Sequence, residues 1–112
     1  MKQYEIWMAD LNPRIGTETG KIRPVVIVQT NLINKEHPST VICPITSQVQ
    51  PLSNILRVHL SPNKVNGLEK KSDIMIDQVR AIDNQRLIKK VGTIDTISTS
   101  QLRENLKIIM DL

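Results

Sequence analysis

Three cations and one carboxylate fall within the twelve residues from Asn12 to Arg23 (NPRIGTETGKIR). Arg14, Lys21 and Arg23 supply positive charge, Glu18 could take or give a proton, and Gly16 and Gly20 let the chain bend. The segment joins two apolar runs, where a hairpin loop usually needs only about two to five residues. Loops of this length in small domains tend to carry function, although its composition also fits a plain basic loop. Arg23 is the most constrained of the three cations. It stands directly before Pro24 and an apolar run, so the backbone holds it, and a fixed guanidinium suits a phosphate as well as it suits a carboxylate partner.

Thr46 and Ser47, in Pro44-Ile45-Thr46-Ser47-Gln48, follow the end of another apolar run. Hydroxyls there often only cap a turn, and these two matter for chemistry only if they face Arg23. Lys64 to Lys71 (KVNGLEKK) is a lysine-rich turn that could at best position phosphates. His37 sits in a Glu-His-Pro turn and His59 in an alternating run beside Arg57. Their spacing implies no convergence, so neither is assigned a catalytic role. No His, Asp or Glu cluster has metal-ligand spacing, and Cys43 is alone, so neither a metal site nor a disulfide is expected.

These groups need a scaffold, and the pattern is mostly β. Strands are expected over 4–11, 24–29, 41–45, 55–60, 74–79 and 91–94. The second is apolar on both faces and should lie centrally in a sheet. Residues 30–35 could form one helical turn. Near the C-terminus Ser98 stands three residues before Gln101, the spacing of a capping box, with Ile97 and Leu102 placed for a hydrophobic staple. Leu102, Leu106, Ile109 and Met110 then share one helix face. The expected fold is mainly β with a C-terminal α-helix, a small barrel of about six strands forming one domain over residues 1–112.

Composition narrows the function classes. The 112 residues carry a net charge of +4, a mild bias towards polyanionic partners. Tyr4 and Trp7 are the only aromatics, which excludes modules that stack bases on several rings. Any nucleic acid must be held by hydrogen bonds, charge and backbone groups. The longest apolar run, Val25 to Val28, is far too short to span a bilayer, and a single cysteine agrees with a reducing compartment. A cytoplasmic protein without a membrane partner is expected, with self-association natural for so small a core.

Taken in order, Ile6-Trp7-Met8-Ala9-Asp10-Leu11-Asn12-Pro13, Gly16-Thr17-Glu18 and Arg23-Pro24-Val25-Val26 resemble the opening of the MazF/PemK toxins. Ile45-Thr46-Ser47-Gln48 resembles the segment after that family's third strand. Ser72 to Asp83 (SDIMIDQVRAID) with Gln85-Arg86-Leu87 resembles its late strand and the run that follows. The likeness spans nearly the whole chain.

The resemblance implies an SH3-like β-barrel with a terminal helix, a homodimer, and cleavage of single-stranded RNA at short sequences without a metal or other cofactor. It also implies an acidic antitoxin whose disordered tail folds into the RNA groove. Arg23, Thr46 and Glu18 match the family's catalytic positions. Arg14, Thr17, Lys21, Ser47, Gln48, Lys70, Ser72, Asp77 and Gln78 are the expected RNA contacts. The PemK branch has an Arg two residues before the position of Asp77. Met75 stands there instead, which favours an Arg–Thr mechanism. The usual Gly-Asp before the first strand is also absent. A competing class shares the barrel: CcdB-type gyrase inhibitors bind a protein, cut nothing, and depend on C-terminal residues.

Overall fold

A computed structural model describes residues 1–34 and 36–112. Seven strands and one helix follow each other as β1 (Glu5–Asp10), β2 (Ile22–Ile27), β3 (Ser39–Thr46), β4 (Arg57–Leu60), β5 (Ser72–Met75), β6 (Arg80–Asp83), β7 (Leu87–Thr93) and α1 (Thr96–Met110). The sheet runs β4-β5-β3-β2-β1-β7, with β6 also paired to β3. β4 and β7 remain edges, so the expected barrel is an open, branched sheet. The mainly-β composition with a C-terminal helix is as expected.

β2 is central for the reason its sequence suggests. Val25 and Ile27 enter one buried cluster with Ala9, Leu11, Ile42 and Ile82, while Val26 enters another with Ile6, Cys43, Ile45 and Leu102. Alternate side chains of a strand point to opposite faces, so a strand apolar throughout can be satisfied only with cover on both sides.

β3 is long enough to serve two partners on its outer edge. Residues 39–42 pair with β6, and Ile45 and Thr46 pair with β5. The expected strand over 74–79 is broken accordingly. A 3₁₀ turn at Ile76–Gln78 separates β5 from β6, so only Ile74 and Met75 of the expected strand are in a strand, and β6 begins just beyond it at Arg80. Residues 31–34 form a turn and no helix, and Lys35, in the expected helical turn, lies outside the described residues.

The helix begins earlier than expected. Asp95 is the N-cap, accepting the Ser98 N–H at 2.7 Å, so Ser98 lies within the first turn. Ile97 consequently stands in the helix with its side chain largely in solvent, and the staple does not form. Leu102 is fully buried, with Leu106 and Ile109 packed beside it, whereas Met110 is exposed. Truncating a leucine so placed costs roughly 2–5 kcal/mol. Leu102 therefore anchors the helix to the sheet.

Candidate nucleic-acid interface

β2 and β3 are antiparallel through Val25↔Pro44, Val26↔Cys43 and Ile27↔Ile42, and the pairing ends there. Pro44 is the last partner and Pro24 stands just beyond Val25, and neither has an N–H to donate. The strands part, and the register continued two residues further sets Arg23 opposite Thr46. Both line a groove of about 1070 Å³. Thr46 is buried but keeps 8% of its surface, and its hydroxyl accepts the Gln48 N–H at 3.1 Å. That bond leaves the hydroxyl hydrogen available to a ligand.

Arg23 is half-buried and donates from Nε to the Gly20 carbonyl at 2.8 Å, which fixes the plane of its guanidinium. Burial pulls its pKa down. A charge partly stripped of water in this way gains more from a phosphate than an exposed one would.

The loop before Arg23 is closed at its base. The Leu11 N–H donates to the Lys21 carbonyl at 2.8 Å, and the Lys21 N–H to Asn12 Oδ1 at 2.9 Å. Arg86 reaches back to the carbonyls of Asp10 and Asn12, which ties the Gln85-Arg86-Leu87 run to this loop. Lys21 has φ +69°, a left-handed conformation costly for a residue with a Cβ and often found where a site dictates backbone shape. Glu18 is half-buried, with Oε2 3.8 Å from Arg80 Nη1. That separation is an ion pair without a hydrogen bond, and Arg80 Nη1 is buried with no hydrogen-bond partner.

The opposite wall comes from the 61–70 loop and β7. Asn66 is buried and its side chain holds the loop together, accepting from the Asn63 and Leu68 N–H groups and donating to the Ser61 carbonyl. The loop lies directly on Gly92, where a Cβ would come within 2.4 Å of the Asn66 and Val65 backbone. Gly67 to Lys70 thereby meet Lys89 to Val91 along the groove.

Of the residues expected from sequence, Arg23, Thr46, Glu18, Arg14, Thr17, Lys21, Ser47, Gln48, Lys70 and Ser72 line this groove. Asp77 and Gln78 do not. They lie in the 3₁₀ turn after β5, where the charge of Asp77 adds to burial in raising the Cys43 thiol to about 12. His37 bonds to Ser39 and His59 to Asp73, and neither lines the groove. Among the described residues no group of three His, Cys, Asp or Glu side chains is placed to hold a metal ion.

Sequence reasoning missed Arg57, Lys89 and Lys90, which also line the groove. With them the lining holds seven cations (Arg14, Lys21, Arg23, Arg57, Lys70, Lys89 and Lys90) against the carboxylates Glu18 and Glu69. Asp73 pairs with Arg57 and Glu5 with Lys90 just behind the lining, which leaves a local excess of three of the chain's net +4. The adjacency of Lys89 and Lys90 was a signal, but only the pairing of β7 with β1 shows which wall they join. Lys90 is also held at 3.0 Å from Glu5.

The description of a family model, PemK-like, MazF-like toxin of type II toxin–antitoxin system, matches residues 2–110. The chain is 32% identical over 112 residues to Endoribonuclease EndoA of Bacillus subtilis, covering 100% of this chain and 96% of that protein. It is 30% identical to Endoribonuclease MazF of Staphylococcus saprophyticus, again over its full length and 92% of the relative. Among solved structures, Mycobacterium tuberculosis toxin MazF-mt6 superposes with a TM-score of 0.79 at 25% identity, covering 96% of this chain and 97% of the other. MazF from Deinococcus radiodurans superposes at 0.85 and 18% identity, covering 100% and 97%, a likeness of fold. A MazE–MazF complex from the same organism superposes at 0.79 and 18% identity, covering 100% and 96%, again a likeness of fold. With residues 2–110 matched by the family model and its full length by two relatives at or above 30% identity, the chain belongs to the PemK-like, MazF-like toxins of type II toxin–antitoxin systems.

Proposed function

We propose that this protein is a sequence-specific, metal-independent endoribonuclease that cuts single-stranded mRNA in the groove between Arg23 and Thr46. One observation carries the proposal: a partly desolvated guanidinium and a threonine hydroxyl with a free hydrogen line one groove that also holds six further cations. The relatives named as endoribonucleases support it.

RNA supplies its own nucleophile. The 2′-oxygen attacks the adjacent phosphorus and the P–O5′ bond breaks, giving a 2′,3′-cyclic phosphate and a 5′-hydroxyl end. Glu18 takes the 2′-hydroxyl proton and later returns it to solvent. Arg23 meets the charge that builds on the phosphorane oxygens, a role for which a fixed donor needs no reorganisation. It is a poor base, because a guanidinium gives up its proton only above about pH 12. Thr46 donates to the phosphate and passes a proton to the departing 5′-oxygen, recovering one from water. Glu18 already lines the groove and has no hydrogen bond to Arg80, so its carboxylate can accept the proton where it stands. Arg14, Thr17, Lys21, Ser47, Gln48, Lys70 and Ser72 line the path and hold the strand by phosphate and base contacts.

The same charge explains the other partner. An acidic, disordered antitoxin tail would fold into this groove and exclude RNA. We further propose a cytoplasmic homodimer. The test is incubation of the purified protein with a long single-stranded RNA in excess EDTA, with the cut ends mapped by primer extension. Discrete cuts with 5′-hydroxyl ends are expected. Intact RNA, or cutting only without EDTA, would refute the proposal.

A further inference from the structure

Asp73 is an anomaly in the sheet. It is 0% exposed, in a strand otherwise made of Ser72, Ile74 and Met75. Removing a carboxylate from water costs several kcal/mol, and well-packed apolar residues often replace buried ion pairs without loss of stability. Folding alone therefore gives this charge little reason to be here.

Its contacts lead to the groove. Oδ2 accepts the Gln50 N–H at 2.7 Å and Arg57 Nη1 at 3.2 Å, and Oδ1 meets His59 Nδ1 at 2.7 Å. Arg57 Nη1 also donates to the Gln48 carbonyl at 3.2 Å. The Gln48 N–H is the group that donates to Thr46 Oγ1. Thr46 and Asp73 are also cross-strand partners in the β3–β5 ladder. The node extends outwards: His59 Nε2 lies 3.3 Å from Asn54 Oδ1, and the Asn54 carbonyl accepts from buried Asn105 of α1 at 3.1 Å. One carboxylate thus holds the 46–50 turn directly at Gln50 and through Arg57 at Gln48.

We propose that Asp73 is a positioning residue for cleavage: by fixing the 46–50 turn through Gln50 and Arg57, it sets the direction of the Thr46 hydroxyl at the groove. This rests on the RNA-cleaving reading of the groove. Asp73 is sealed from solvent and cannot touch RNA, so its influence must pass through the turn. The carboxylate accepts from Gln50 and Arg57 on Oδ2 and pairs with His59 on Oδ1. The isosteric amide keeps the shape but removes the charge that holds Arg57, so the clamp on Gln48 loosens and the turn shifts.

The test compares wild type, Asp73→Asn, Thr46→Val and the double variant on an oligonucleotide carrying one mapped cut site. Asp73→Asn should melt within a few degrees of wild type. Its single-turnover rate should fall about ten- to a hundredfold, as expected for a misplacement near 1 Å, with RNA affinity within about twofold. In the Thr46→Val background the same change should cost nothing further, because the two act as one unit. A wild-type rate for Asp73→Asn, or losses that multiply in the double variant, would overturn the proposal. If Asp73→Asn does not fold, Arg57→Met keeps the carboxylate and removes the clamp on Gln48; because Arg57 also lines the groove, rates are compared at saturating protein, where the same non-additivity is expected. Should wild type cut no RNA, the cleavage reading fails by itself. Hydrogen exchange then decides the structural claim: the Gln48 and Gln50 amides should exchange at least about tenfold faster in Asp73→Asn. Unchanged protection would overturn it.

Discussion

Acid should weaken this fold through Glu5. The residue is 8% exposed at the start of β1. Burial raises its pKa, but hydrogen bonds from Lys90, Trp7 Nε1 and the Lys2 N–H, with the Lys90 charge, outweigh that and hold it at about 2 against an ordinary 4.5. The folded value is depressed, so the stabilisation is complete above the unfolded value and is lost as the pH falls through the folded one. A drop of 4.5 to about 2, at 1.36 kcal/mol per unit, sets an upper limit of roughly 3 kcal/mol. Lys90 is about half exposed and solvent screens its share, so about 2 kcal/mol is expected. Glu5→Gln keeps an oxygen for Trp7 and Lys2 and removes the titration together with the Lys90 ion pair. Urea unfolding of both proteins at fixed concentration, from pH 6 down to pH 2, measures the effect. The stability difference should be constant above about pH 5 and shrink by about 2 kcal/mol towards pH 2. A difference that does not change with pH would refute the reasoning.

Two further outcomes follow from packing. Burial, with the nearby Asp77 charge, lifts the Cys43 thiol to about 12, so at neutral pH iodoacetamide should leave the native protein unlabelled and modify it only in denaturant; mass spectrometry reads this directly, and labelling of the native fold would contradict it. Gly92→Ala should lower stability by about 1–3 kcal/mol in urea unfolding, because its Cβ meets backbone of the 61–70 loop that cannot yield as a side chain would; an unchanged midpoint would show that the loop does not rest there.

Much of this was legible in the sequence because local pattern decided it. The double-faced apolar run at Val25 to Ile27 could only be a central strand, and Arg23 before Pro24 could only stand at its head. Other features depend on pairing. Ile74 to Val79 reads as one continuous strand, and nothing local announces the turn at Ile76–Gln78. The break exists because β3 takes β5 and β6 in succession. The helix start was misread for a smaller reason: Asp95 and Ser98 are both good caps, and Asp95 wins by accepting the Ser98 N–H.

The site divides in the same way. Arg14, Lys21, Arg23 and Thr46 stood out by type and position along the chain. Arg57 and Asp73, sixteen residues apart, become one unit only when β4 pairs with β5. Lys89 and Lys90 join the groove only because β7 pairs with β1 and the 61–70 loop packs over Gly92. Arg80, in a run that matched the family by pattern, has no visible task until Glu18 is found beside it.

The most direct test of the groove as a nuclease centre is single-turnover cleavage of a mapped RNA site by Arg23→Ala, with circular dichroism and melting temperature measured on the same sample. Loss of this charge-assisted donor should slow cleavage at least about a hundredfold, roughly 3 kcal/mol of transition-state stabilisation, while the fold and melting temperature stay as in wild type. A well-folded Arg23→Ala that cuts at close to the wild-type rate would contradict it.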